Sequence, residues 1–238
     1  MIREIGPWVV VFACVVVENI AEAGIVVPPD LHPGDRYYLA FLTHDSYDAT
    51  SADIAVYNQI VQNEAARNPA LTGTNQGVQW RALASTPTVN AIDNLGLIAG
   101  VPVYALQRAY DVFQPWATLD ASSLLATGKL NHYFGFDQFA SLDVNEAVWT
   151  GTLPGGISAG IYSLGGASGT PVSADPVPEP FDQPFRWLDL GHSPAVAAPN
   201  IGFGLYAVST LLVAPEPSTW CLLLIGSCGL LLGARRRR

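Results

Sequence analysis

The chain has 238 residues, enough for one or two domains, and sets eleven Lys and Arg against twenty Asp and Glu for a formal net charge of −9. Between Gly24 and Ala214 the imbalance is steeper, six basic side chains to sixteen acidic, which repels phosphate backbones and argues against nucleic acid as a partner. All three cysteines, Cys14, Cys221 and Cys228, lie in apolar terminal segments, so the stretch between them holds no disulfide and must fold on a hydrophobic core alone.

The N-terminus has a charged start at Arg3, an apolar run from Pro7 to Val17 and the small-x-small sequence Ala21-Glu22-Ala23 before Gly24. It reads as a secretory signal peptide over residues 1–23, which implies the Sec export machinery and signal peptidase as partners. A lipoprotein box at Val11 to Cys14 is the competing reading, but it would put the cysteine inside the apolar run. Residues 24–36, rich in Pro and Gly, form a lead-in. Tyr37 to Thr43 is apolar on both alternating faces, the pattern of a strand buried on both sides.

The clearest helix follows, with Thr50 as N-cap, Asp53 three residues on, and Ile54, Tyr57, Val61 and Ala65 on one face until Asn68-Pro69. Gln79 to Ala84 reads as a strand, and Ser85 to Asn94 as a helix begun by a hydroxyl cap and a Pro in its first turn. Val101 to Leu106 is a further strand, its Pro marking an edge or a strand start. A short helix capped by Asp120 runs to Leu125, and Ala147 to Thr150 is a short strand. From Gly155 to Pro184 the chain is Gly-, Pro- and Ser-rich and reads as long loops, with one strand at Gly160 to Leu164. Arg186 to Asp189 and one long strand from Phe203 to Val213 close the domain. The sum is a single α+β domain over residues 37–213.

The last segment, residues 214–238, has three parts in fixed order: Pro215-Glu216-Pro217, an apolar helix over residues 219–234, and Arg235, Arg236, Arg237 and Arg238. As a helix the run from Trp220 to Ala234 spans roughly 22 Å, short of a hydrocarbon core of about 30 Å. It suits a transient anchor in the inner membrane, with the arginines kept on the cytoplasmic side and the domain outside.

This tripartite tail resembles the PEP-CTERM sorting signal of Gram-negative, exopolysaccharide-producing bacteria. The resemblance implies an exosortase as partner, cleavage near Pro215 to Pro217, and a final place at the cell surface or in the extracellular matrix. Trp80 to Thr86, Val89 to Asn94, Gly100 to Tyr104, Val148 to Thr152 and Leu205 to Ser209 resemble, in that order, a group of bacterial PEP-CTERM proteins. Their body is similar to the endostatin and C-type-lectin-like fold, which implies paired first and last strands, two main helices and long recognition loops. The calcium-lectin sugar motifs are absent: Glu179-Pro180 precedes Phe181 and Gln114-Pro115 precedes Trp116. A sugar site therefore does not carry over.

Site candidates come from the residues themselves. Gly156-Ile-Ser158-Ala-Gly160 matches a nucleophile elbow, with Asp175 or Asp182 and then His192 completing the hydrolase order. Its Gly-rich flanks do not suit the strand and helix an elbow needs, so no catalytic residue is expected and the hydrolase stands as the alternative. His44, Asp45 and Asp48 put an imidazole beside two carboxylates, read chiefly as a polar loop. His32, His132 and His192 are isolated and imply no zinc. Asp143, Asn145 and Glu146, and separately Asp175, Glu179 and Asp182, gather hard oxygen ligands and are calcium candidates. Trp80, Trp149 and Trp187 fall in expected strands and read as core, while Trp116, in an expected loop, is the candidate for stacking on a sugar ring. No cofactor is implied. The expectation is an exported, non-catalytic binding or scaffolding protein associated with extracellular polysaccharide and biofilm.

Overall fold

The computed structural model describes residues 25–72, 77–106, 115–117, 136–139, 141, 147–167, 171–174 and 202–215. The signal-peptide segment, the membrane tail beyond Pro215, and the expected elements at Asp120 to Leu125 and Arg186 to Asp189 lie outside them. Among the described residues no helix is long and apolar enough to cross a membrane.

Strand β1 (Arg36–Leu42) is the centre of the fold, and six of its seven residues are buried. Side chains alternate across a strand, so Tyr37, Leu39 and Phe41 enter one core while Tyr38, Ala40 and Leu42 enter another. The first core is closed by helix α1 (Ile54–Ala66) through Tyr57, Val61 and Ala65, with the short helix α2 (Pro69–Thr72) adding Leu71. Side chains the size of Val61 or Leu71 each contribute about 1.5–3 kcal/mol on burial. Phe41 meets the Trp80 ring edge-on at 4.8 Å. On the second face, helix α3 (Ala91–Leu95) contributes Leu95.

Eight strands form one mixed sheet among the described residues. On one side of β1 lies the parallel strand β3 (Val103–Ala105), followed by the antiparallel β4 (Pro115–Ala117). On the other side β9 (Gly204–Ser209) runs antiparallel, and β10 (Leu212–Val213) pairs with the start of β1. The far edge of β9 is shared by β2 (Trp80–Ala82), antiparallel, and β5 (Val148–Trp149), parallel. Strand β8 (Ser173–Ala174) adds to β5, and β6 (Thr152–Leu153) with β7 (Ile157–Ser158) makes a separate hairpin. First and last strands pair as expected, and the architecture is mixed α and β with few helices.

Several boundaries differ from the sequence reading. Helix α1 is capped by Asp53, whose Oδ1 accepts from the Ala55 N–H at 2.9 Å; Thr50 instead donates twice to Asp48. The helix starts late because Tyr57 clamps Ser51, its hydroxyl donating to the Ser51 carbonyl and accepting from the Ser51 N–H. Helix α3 begins only at Ala91, since the Ser85 hydroxyl accepts from the Ala91 N–H across a non-helical turn. It ends at Gly96, which takes a left-handed conformation. Gly160–Tyr162 is a single 3₁₀ turn, not a strand.

The expected long closing strand is broken into β9 and β10. Ala40 faces Val208 but Tyr37 faces Leu212, so one extra residue is accommodated around Ser209 and Thr210. Trp116 sits in β4 rather than in a loop.

Candidate functional site

Strand β2 would leave one edge open, because its other edge is taken by β9. Side-chain amides close it. The Trp80 N–H donates to Gln62 Oε1 at 2.8 Å and the Ala82 N–H to Asn58 Oδ1 at 2.8 Å, both from α1 and one helical turn apart. Asn94 of α3 donates from Nδ2 to the Ala82 carbonyl at 2.8 Å and exchanges hydrogen bonds with Asn58. The two helices, on opposite faces of the sheet, thus meet around the strand edge.

Over this seam lies an open groove of about 800 Å³, lined by α1, β2, α3 and the residues leading into β2. Gln59, Gln62, Gln79, Arg81 and Asp93 bring polar side chains to it. Arg81 is held by an Nη1 bond to the Asn94 carbonyl at 2.7 Å, and Asp93 accepts from Asn90 at 2.8 Å. Trp80 lines the floor but is only 2% exposed, its indole N–H donating to the Leu71 carbonyl.

A second polar cluster sits where β1 and α1 end. Glu64 is buried, and its carboxylate accepts from the Tyr47 hydroxyl at 2.7 Å, from Arg67 Nη1 at 2.8 and 3.0 Å, and from Gln138 Nε2. Burial, then the bond to Glu64, raises the Tyr47 phenol well above its ordinary range. The hydrogen bond to Glu64 likewise raises Arg67. Asp137, also buried, accepts the N–H groups of Phe139 and Ser141 at 2.8 Å and pairs with His44 Nδ1 at 2.7 Å. An ionised carboxylate only accepts, so Nδ1 is the donor in this pair. That is the orienting half of an acid–base dyad. Among the described residues it clasps residues 136–139 and 141 onto β1, aided by the Leu42 N–H donating to the Phe136 carbonyl.

The carboxylates next to His44 in sequence belong, as expected, to a polar loop and do not pair with it. His44 pairs with Asp137 rather than Asp45 or Asp48; Asp45 bonds Arg67 at 2.7 Å, and Asp48 holds Thr50. Ser158 ends β7, donating to the Thr86 carbonyl at 2.8 Å and accepting from the Gly160 N–H at 3.1 Å. His192, His132, the two calcium candidate sets and Trp187 lie outside the described residues, as does the Trp116 side chain. Among the described residues no three His, Cys, Asp or Glu side chains converge as a metal site. Trp80 and Trp149 are core, as expected, with the Trp149 indole N–H donating to the Tyr47 carbonyl.

Residues 213–238 match the PEP-CTERM protein-sorting motif. That motif implies an exported protein held transiently at the membrane by a C-terminal signal, with an exosortase as the processing partner. The match begins inside β10, at Val213, so the folded domain and the signal abut. No curated protein matches the chain.

Proposed function

We propose that the domain is a non-catalytic binding or scaffolding module, displayed at the cell surface or in the extracellular matrix and associated with exopolysaccharide and biofilm. A cleaved signal peptide delivers it through the Sec machinery, and exosortase processing of the tail leaves it outside the cell. The observation that carries this reading is the groove beside β2, lined by neutral amides with one Arg and one Asp, on a domain directly followed by the sorting motif. The lectin-like resemblance is not supported, since pairing of first and last strands is not specific to that fold, and the proposal does not rest on it.

The alternative, a hydrolase using Ser158 and His192, has less support. The Ser158 proton is committed to the Thr86 carbonyl, and the oxygen also accepts from the Gly160 N–H. The deciding experiment is fractionation of cells with and without the exosortase, combined with sedimentation of the mature protein with purified surface polysaccharide. Co-sedimentation beyond that of an unrelated acidic protein is expected; its absence removes the polymer-binding role. Ester hydrolysis by the purified chain that vanished in Ser158→Ala would replace the proposal with the hydrolase.

A further inference from the structure

Resting on the binding reading, we infer that the groove over the β2 edge takes a neutral, hydroxyl-rich ligand, a carbohydrate chain, through oriented side-chain amides. The orientation follows from the strand. A backbone N–H can only donate, so Trp80 fixes the oxygen of Gln62 toward itself and leaves the Nε2 donors of Gln62 unbonded among the described residues. Gln59 Nε2 is tied to Asn63 Oδ1 at 2.8 Å, which leaves its oxygen as an acceptor. Arg81 adds further donors beyond the Nη1 bond to Asn94, and Asp93 adds an acceptor.

Such a set of fixed donors and acceptors suits hydroxyl groups, each of which both donates and accepts, and its rigidity lowers the ordering cost of binding. Other ligand classes fit less well. A peptide is disfavoured as an added strand, because the edge N–H groups of Trp80 and Ala82 and the Ala82 carbonyl are already bonded to Gln62, Asn58 and Asn94. Asp93 and the chain's net charge of −9 oppose a polyanion, while Arg81 opposes a cation.

The test is calorimetric titration of the full-length chain, in a detergent without a sugar headgroup, using maltohexaose, cellohexaose and laminarihexaose, with hexagalacturonate as the acidic counterpart. Saturable binding of a neutral oligosaccharide is expected, with weaker or no binding of the acidic one. Gln62→Glu keeps an oxygen for the Trp80 N–H but removes both donors, and should weaken binding at least about tenfold at an unchanged thermal midpoint. Asp93→Ala, whose side chain bonds only Asn90 among the described residues, is the second variant and should weaken binding severalfold. No saturable heat with any neutral oligosaccharide, or parental affinity in both variants, overturns the inference. If the variants bind normally while the protein still sediments with surface polysaccharide, the groove is wrong and the binding reading survives. If the parental chain neither binds nor sediments, both fall.

Discussion

The backbone N–H of Leu39 donates to the Ser209 hydroxyl at 2.9 Å, across 170 residues of sequence. The bond fills the gap where β9 gives way to β10 and the ladder with β1 slips by one residue. Ser209→Ala leaves this buried N–H without an acceptor, and the expected loss of stability is about 1–3 kcal/mol, read by urea unfolding. An unchanged midpoint would show that the slip is held by other contacts.

The phenols of Tyr37 and Tyr57 are both pushed up by burial to about 12. A raised folded-state value means that the folded form holds its proton more tightly. The stability this contributes is complete below the ordinary value near 10 and is lost as pH rises through about 12. Ultraviolet titration of tyrosinate should therefore show these two groups ionising late, together with loss of the folded circular-dichroism signal. All the tyrosines titrating with a midpoint near pH 10 while that signal stays intact would contradict the burial of both rings.

Gly151 adopts φ +57°, and a Cβ placed there would lie 2.6 Å from both the Leu164 nitrogen and the Ser85 carbonyl oxygen. Both neighbours are backbone and cannot swing away. Gly151→Ala should cost upward of about 1 kcal/mol from conformation alone, with the clash added. Gly155, at φ +94° with nothing within 4 Å, is the control that isolates the conformational part. Thermal midpoints of the two alanine variants should differ, with Gly151→Ala the lower.

Ala214 is buried, donating to the Asp35 carbonyl at 2.8 Å and accepting from the Gly34 N–H at 2.9 Å, whereas Pro215 is exposed. Pro215 is the first exposed residue after β10 and the Ala214 bonds that fasten its end. Mass spectrometry of the exosortase-processed protein should place its C-terminus at or after Pro215. A terminus before Leu211 would mean that β10 is dispensable.

The sequence exposed the elements whose burial is periodic. The two-sided apolar run of β1 and the Ile54, Tyr57, Val61, Ala65 face of α1 were legible because each repeats at the period of its own element. The start of α1 was not, since Asp48 and Asp53 compete with Thr50 for nearby backbone groups and a distant Tyr57 decides the outcome. The break after Ser209 was hidden too, because alternation continues through it. In the clasp, the Glu64–Arg67 pair went unread although its three-residue spacing was a signal for it, and Asp137 lies 93 residues from His44. The groove depends on helices from separate parts of the chain meeting over one strand edge, which no local pattern encodes.

The pairing of β1 with β9 and β10 also sets a clock. Strand β1 holds the middle of the sheet, yet two of its partners are the final strands before the sorting signal. Contacts this distant in sequence are slow to form, because a long loop must close before they repay its entropy. A chain crossing the membrane from its N-terminus would carry β1 across early and leave it without those partners until almost the whole domain had followed. The apolar tail comes next, so the sheet would close while the chain is still held at the bilayer. Retention by the tail would then keep each chain apart from its neighbours during the interval in which its central strand is uncovered.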